Sequence, residues 1–201
     1  MRHHFHFQLG ELPVKYLGLP LISSRLSASD CKSLIDVLLT RVKGWTVRHL
    51  SFAGRLQLIK SVLSSIHIYW STHLLLPKKI ISKVEQILRA FLWKGSCQKN
   101  VVHKVSWRNV SCPVKEGGLG IKKLQEWNTT AMAKHLWKLI QPRSTSLWAN
   151  WAKVNLLRGR SIWEIPTPND CSWTWRTILS LRSKFRSCAR HLEGNGQCTN
   201  H

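Results

Sequence analysis

The chain has 201 residues, 43% of them hydrophobic, with 31 lysines and arginines against nine aspartates and glutamates, a formal charge of +22. That length suits one domain or two small ones, and the apolar content argues against wholesale disorder. A field this positive points to a polyanion partner, a phosphate backbone before an anionic membrane surface, and only three aspartates leave little for carboxylate chemistry. The basic residues number seven, eight, eight and eight along successive quarters of the chain, so they are not a tail.

The segment Leu12 to Leu21 reads as short strand and turn. Pro13 and Pro20 forbid a helix there, and Gly18 supplies a bend or close approach. Ser27 and Asp30 then stand at capping-box spacing, followed by Leu34, Ile35, Leu38, Leu39 and Val42 at helical period, with Gly44 expected to end the run. Ser51 can cap a second helix bearing Leu56, Ile59, Leu63 and Ile66 on one face, widened by Leu58 and Val62. After Pro77 a third helix carries Ile80, Ile81, Val84, Ile87, Leu88, Phe91 and Leu92, closed by Lys94-Gly95.

Residues 95 to 123 read as a β-like or irregular connector with a glycine turn at Gly117-Gly118-Leu119-Gly120. A fourth helix is predicted from about Leu124 to Ile140, with Trp127, Ala131, Leu136 and Leu139 facing inward. A fifth spans roughly Thr145 to Leu157, with Leu147, Trp148, Trp151 and Val154 at i, i+1, i+4 and i+7. Pro166 and Pro168 mark a linker, a last short helix covers Trp173 to Arg186, and the tail from Gly194 is turn-rich. The expected fold is mainly α: a helical bundle, a short irregular or β connector, and a second helical subdomain.

Chemistry is sparse. Asp30 and Asp36 are six apart, so a helix does not bring them to one face for a two-metal site, and Asp170 lies in a proline-flanked loop. There is no Gly-x-Ser-x-Gly elbow and no phosphate loop of the Gly-x-x-x-x-Gly-Lys-Ser/Thr kind. The six cysteines form no Cys-x-x-Cys pair, so zinc spacing is poor and free thiols are expected. No window of about 18 apolar residues exists and the first residues lack the apolar run of a signal peptide, which makes nucleus or cytoplasm the expected location, with no membrane partner.

The basic residues of the second helix carry more. Arg55 and Lys60 flank its apolar stripe, with Arg48 and Trp45 before it. Cations near a helix start can meet phosphate oxygens, or can simply be solvated. Trp45 could stack on a base, but a large aromatic at a helix junction more often packs into the core.

In order, the landmarks are Pro13 to Leu21 with its Tyr16-Leu17-Gly18, then Trp45, Leu50 to Leu63, Phe91-Leu92-Trp93-Lys94-Gly95, Val105-Ser106-Trp107, Glu116 to Ile121, Trp127-Asn128 and Ser172 to Arg176. This series, over residues 7 to 201, resembles the part of plant non-LTR (LINE-type) retrotransposon reverse transcriptases that follows the polymerase palm. The resemblance implies that 1–22 is the end of the palm with a primer-grip-like segment and 23–95 a thumb-like helical bundle. It makes 96–123 a connector with a glycine turn and 124–201 a helical linker leading towards a zinc-binding region. It assigns primer positioning to Tyr16, Leu17 and Gly18 and template–primer holding to Arg55 and Lys60, with Arg48 beside them.

The family's catalytic aspartates match no residue here. The resemblance therefore implies a piece of a longer polyprotein that lacks palm and fingers, binds RNA–DNA template–primer, is inactive as a polymerase on its own and needs no cofactor, Mg²⁺ serving the intact enzyme. A non-catalytic nucleic-acid-binding module and a non-functional pseudogene product with exposed thumb stripes are the alternatives.

Overall fold

The computed structural model describes residues 14–22, 24–46, 50–95, 105–141 and 144–188. Its architecture is mainly α, with one two-stranded antiparallel sheet among the described residues. The chain divides into two compact units, Met1–Met132 and Ala133–His201.

The first unit opens with a hairpin of β1 (Val14–Tyr16) and β2 (Leu19–Leu21), paired Val14 to Leu21 and Tyr16 to Leu19. Its two-residue turn has positive φ at both Leu17 (50°) and Gly18 (80°), the pattern of a type I′ turn that matches strand twist. Glycine takes that conformation freely; leucine bears a steric cost of roughly 1–2 kcal/mol.

Three helical rods follow. The first is α1 (Lys32–Thr46). The second is one continuous rod made of α2 (Phe52–Leu58), a π-helical turn (Ile59–Leu63) and α3 (Ser64–His73), and the third is α4 (Lys78–Lys94). The Ser27–Asp30 pair forms, with the Ser27 N–H donating to Asp30 Oδ2 at 2.8 Å and its hydroxyl at 2.5 Å, and these bonds hold the Asp30 carboxyl below its ordinary pKa. It organises a turn just before α1 rather than the helix itself. Gly44 does not end α1, which runs two residues further; a glycine near the last turn costs only about 1 kcal/mol, too little to stop a packed helix. Ser51 caps α2, its Oγ accepting from the Gly54 N–H at 3.2 Å.

The π turn was not legible in the stripe. It inserts one residue and so rotates the following face by about 100°. The carbonyl of Ile59 takes both the backbone N–H and the hydroxyl of Ser64, the latter at 2.8 Å, which satisfies the group that the wider turn leaves out of register. Leu34, Leu38 and Val42 of α1, Ile59 and Leu63 of the π turn and the whole predicted stripe of α4 are buried in one core. The apolar stripes of these rods are thus covered by one another. Trp45 packs on Phe91 with ring centroids 5.7 Å apart, a core role. Gly95 ends α4 in the left-handed conformation, its N–H bonded to Phe91 O at 2.9 Å.

The connector is irregular, without a strand among its described residues: one helical turn, α5 (Trp107–Val110), a 3₁₀ turn at Val114–Glu116, and the glycine turn. The last long helix, α6 (Leu124–Ile140), has the bounds expected, and the division between the units falls within it. Leu136 and Leu139 are buried as predicted, Ala131 is half-buried, and Trp127 is a correction: it is exposed, with the Lys122 ammonium 3.7 Å above its ring.

In the second unit, α7 (Leu147–Ala152) continues into a π turn at Lys153–Leu157, and α8 (Trp173–Ser180) and α9 (Arg182–Phe185) follow. Arg182 binds this unit together, donating to the carbonyls of Ile162 at 3.0 Å and Ile165 at 2.6 Å. Along α7 and its π turn Ala149 and Ala152 are buried, while Leu147, Trp148, Trp151 and Val154, the residues at i, i+1, i+4 and i+7, face outward.

Candidate nucleic-acid interface

The residues expected to touch nucleic acid fall on two structures of the first unit. Tyr16 and Leu17 are exposed on the hairpin, and Gly18 lies in its turn. The turn is fastened to the bundle, because the Tyr69 hydroxyl on α3 donates to the Leu17 carbonyl at 2.9 Å. That bond fixes a strained turn at a defined place beside the rod that carries Arg55 and Lys60. Arg48 lies outside the described residues.

Arg55 and Lys60 behave differently. The Arg55 guanidinium is half-buried and bonded, Nε to Leu92 O at 2.9 Å and Nη1 to Leu50 O at 3.0 Å. Leu92 belongs to the last turn of α4, whose terminal carbonyls lack helical partners and carry the negative end of the dipole. Arg55 therefore caps α4 and ties it to the start of α2. Lys60 is exposed on the π turn, and its ammonium lies 3.8 Å from the position a Cβ would take on Gly120, in the glycine turn. Of the pair, Lys60 is the exposed side chain and Arg55 the one bonded within the fold.

A second feature escaped the sequence reading. An open cleft of about 800 Å³ is lined by Glu85, Arg89, Trp107, Arg108 and Lys123, among others. The Arg89 guanidinium lies 5.4 Å from the Trp107 ring centroid, and Arg89 Nε and the buried Ser111 Oγ have no hydrogen-bond partner. Burial pushes the Glu85 carboxyl up, against Arg89 and the Leu124 backbone N–H at the start of α6, which both favour the charged form. The cleft mixes charges: Glu126 also lines it, its carboxylate 3.4 Å from the Lys123 ammonium. Its residues come from α4, from α5 and Ser111 after it, and from Lys123 and the start of α6, far apart in sequence, and only the off-stripe position of Arg89 and the Ser106-Trp107 pair point to it in the sequence.

Nothing described fits a Mg²⁺ site. Asp30 is bonded to Ser27, Asp36 and Asp170 are exposed, and no group of three or more His, Cys, Asp or Glu is placed to hold a metal among the described residues. Cys31, Cys112 and Cys171 are free thiols, and burial pushes the Cys31 thiol up to about 12. No helix of the described residues is long and apolar enough to cross a membrane.

No protein-family model and no solved structure matches the chain. It is 34% identical over 183 residues to an Arabidopsis thaliana protein named for ribonuclease H, covering 89% of this chain and 29% of that one. It is 28% identical over 143 residues to the 149 kDa protein of transposon TX1 from Xenopus laevis, 69% of this chain and 10% of that protein. A mitochondrial protein of Arabidopsis thaliana is 27% identical over 128 residues, 60% of this chain and 79% of its own length. The chain thus spans under a third of the first two relatives, and these similarities point to a retrotransposon-related protein.

Proposed function

We propose that the chain is the primer-grip, thumb and linker portion of a retrotransposon reverse transcriptase, holding an RNA–DNA template–primer without catalysing extension itself. The observation that carries this reading is the Tyr69–Leu17 bond, which joins a primer-grip-like hairpin to a basic helical rod in the motif order of that family. The charge of +22 and the similarity to a transposon protein support it. Phosphate contact falls to Lys60, with Tyr16, Leu17 and Gly18 presenting an exposed turn to the primer end. Polymerisation and its Mg²⁺ belong to carboxylates that match nothing in this chain.

The test is binding of a labelled RNA–DNA hybrid by fluorescence anisotropy as salt rises from about 50 to 200 mM, where log affinity falls linearly with log salt for a phosphate-reading protein. Weak binding even at the lowest salt overturns the reading. Robust primer extension by the purified chain overturns the claim that catalysis lies elsewhere. The core shared by α1, the α2–α3 rod and α4 supports a second reading, a module that binds nucleic acid on its own. A cooperative melt of the isolated chain with hybrid binding retained favours it.

A further inference from the structure

We propose that the outward face of α7 is a stacking platform for the unpaired bases of a single-stranded nucleic acid. This rests on the nucleic-acid reading above and adds the element that takes the single strand.

The face is an inverted amphipathic surface. Ala149 and Ala152 are fully buried, while Leu147 is 87% exposed, Trp151 54%, Val154 71% and Trp148 36%. Tryptophan is the most costly side chain to leave in water, and here two stand three residues apart, which makes them surface neighbours on a helix. Trp148 is held by a ring contact, and the main chain at Trp151 by a hydrogen bond. The Trp148 ring meets the His135 ring edge-on at 5.1 Å, and the carbonyl of Trp151 accepts from the Asn155 amide at 2.9 Å in the π turn that follows.

The charge of the surrounding sequence selects its occupant. From Trp127 to Trp163 the chain carries six lysines and arginines and no acidic residue. A second copy would bring an equally cationic surface against this one, and like charges resist that contact. A polyanion with flat apolar groups fits both features: bases stack on indole rings while lysines and arginines take the phosphates, and every base has a π face, so sequence matters little. A duplex hides those faces. An anionic lipid surface shares the charge, but the face is only about two turns long and is interrupted by Asn150 and Asn155, short of the apolar area that interfacial helices bury.

The experiment compares the wild-type chain with the Trp148→Ala/Trp151→Ala double variant on labelled oligothymidine of about 16 nucleotides and on a duplex. The expected result is a loss of roughly tenfold or more in single-strand affinity with duplex affinity nearly unchanged, and Trp151→Phe keeping most of it. Circular dichroism checks that helix content is retained; because the side chains are exposed, it should be. If wild type binds neither nucleic acid, the nucleic-acid reading fails and this inference with it. If wild type binds and the variant loses nothing, or loses single strand and duplex alike, the platform alone is overturned. It is also overturned if the substitutions abolish binding to phosphatidylserine vesicles, or dissolve a dimer seen by sedimentation, while oligothymidine binding is unchanged.

Discussion

The Nε–H of Arg55 donates to the carbonyl of Leu92 across 37 residues of sequence, at 2.9 Å. A guanidinium can reach that carbonyl and, 3.0 Å away, the Leu50 carbonyl at once because its donors are fixed in a planar fork. The same junction holds the Phe52 and Trp93 rings, 5.5 Å apart. In the fold this arginine caps the end of α4 and ties it to the start of α2.

The two cations are therefore separable. Arg55→Ala is expected to destabilise the bundle by about 1.5–3 kcal/mol, the worth of hydrogen bonds from a charged group, and Arg55→Lys should recover only part because a lysine cannot fork between two carbonyls. Lys60→Ala should leave the urea midpoint nearly unchanged and reduce the salt slope of hybrid binding by about one, as for a single phosphate contact. A stable Arg55→Ala with reduced salt slope would reverse the assignment.

Stability should also fall with acid through His67. The ring is buried on α3, and desolvation pulls its pKa down to about 4, opposed in part by the Leu63 carbonyl one turn earlier; Nδ1 has no hydrogen-bond partner. The unfolded chain binds the proton near pH 6.5, so between about pH 6.5 and 4 it holds more protons than the folded one, and stability drops as pH falls. The loss saturates near pH 4 at roughly 3 kcal/mol. Urea melts across that window should show it for wild type and a flatter profile for His67→Leu, whose side chain cannot titrate. Equal profiles would place the acid sensitivity elsewhere.

The periodic elements were legible because burial and period coincide: every stripe residue named on α4 is buried, and Gly95 and Ser51 end and start helices by simple local chemistry. The errors came where period and burial part. Trp127, expected to face inward, is exposed, and from α7 into its π turn the i, i+4, i+7 spacing marks an exposed face, since a pattern shows that residues share a side and not which side the core takes. The π turn left no mark because its inserted residue falls inside an apolar run. The Arg89–Trp107 cleft needs tertiary proximity that spacing cannot encode.

Asn128 illustrates a polar residue whose role appears only in the fold. Its buried amide joins the main chain between α3 and α4, with the nitrogen donating to Leu74 O at 3.2 Å and the oxygen accepting from the Leu76 N–H at 3.0 Å. Asn128→Leu would leave both backbone groups unpaired in a dry site, at about 1–3 kcal/mol each. A chemical melt should show a loss of at least about 2 kcal/mol, and Asn128→Asp should lose as much because a carboxylate cannot donate to Leu74 O. A neutral effect of Asn128→Leu would mean that water reaches these groups.

Two neighbouring glycines should respond to alanine for different reasons. Gly117 has φ of 79° with nothing near its missing Cβ, so Gly117→Ala meets only the left-handed backbone penalty, about 1–2 kcal/mol. At Gly118 an added Cβ would lie 2.1 Å from the Cys112 carbonyl oxygen and 2.5 Å from its carbon. Those are backbone atoms, and the Gly120 N–H already bonds that oxygen at 2.9 Å, so nothing can swing aside without breaking the turn. Gly118→Ala is therefore expected to cost about 3 kcal/mol, the upper range for overpacking, and to exceed Gly117→Ala in a urea melt. Because Gly120 sits against Lys60, the Gly118 variant should also weaken hybrid binding under conditions where it is still folded, whereas Gly117→Ala should not. The reverse order of stability would show that the turn is free to move away from Cys112.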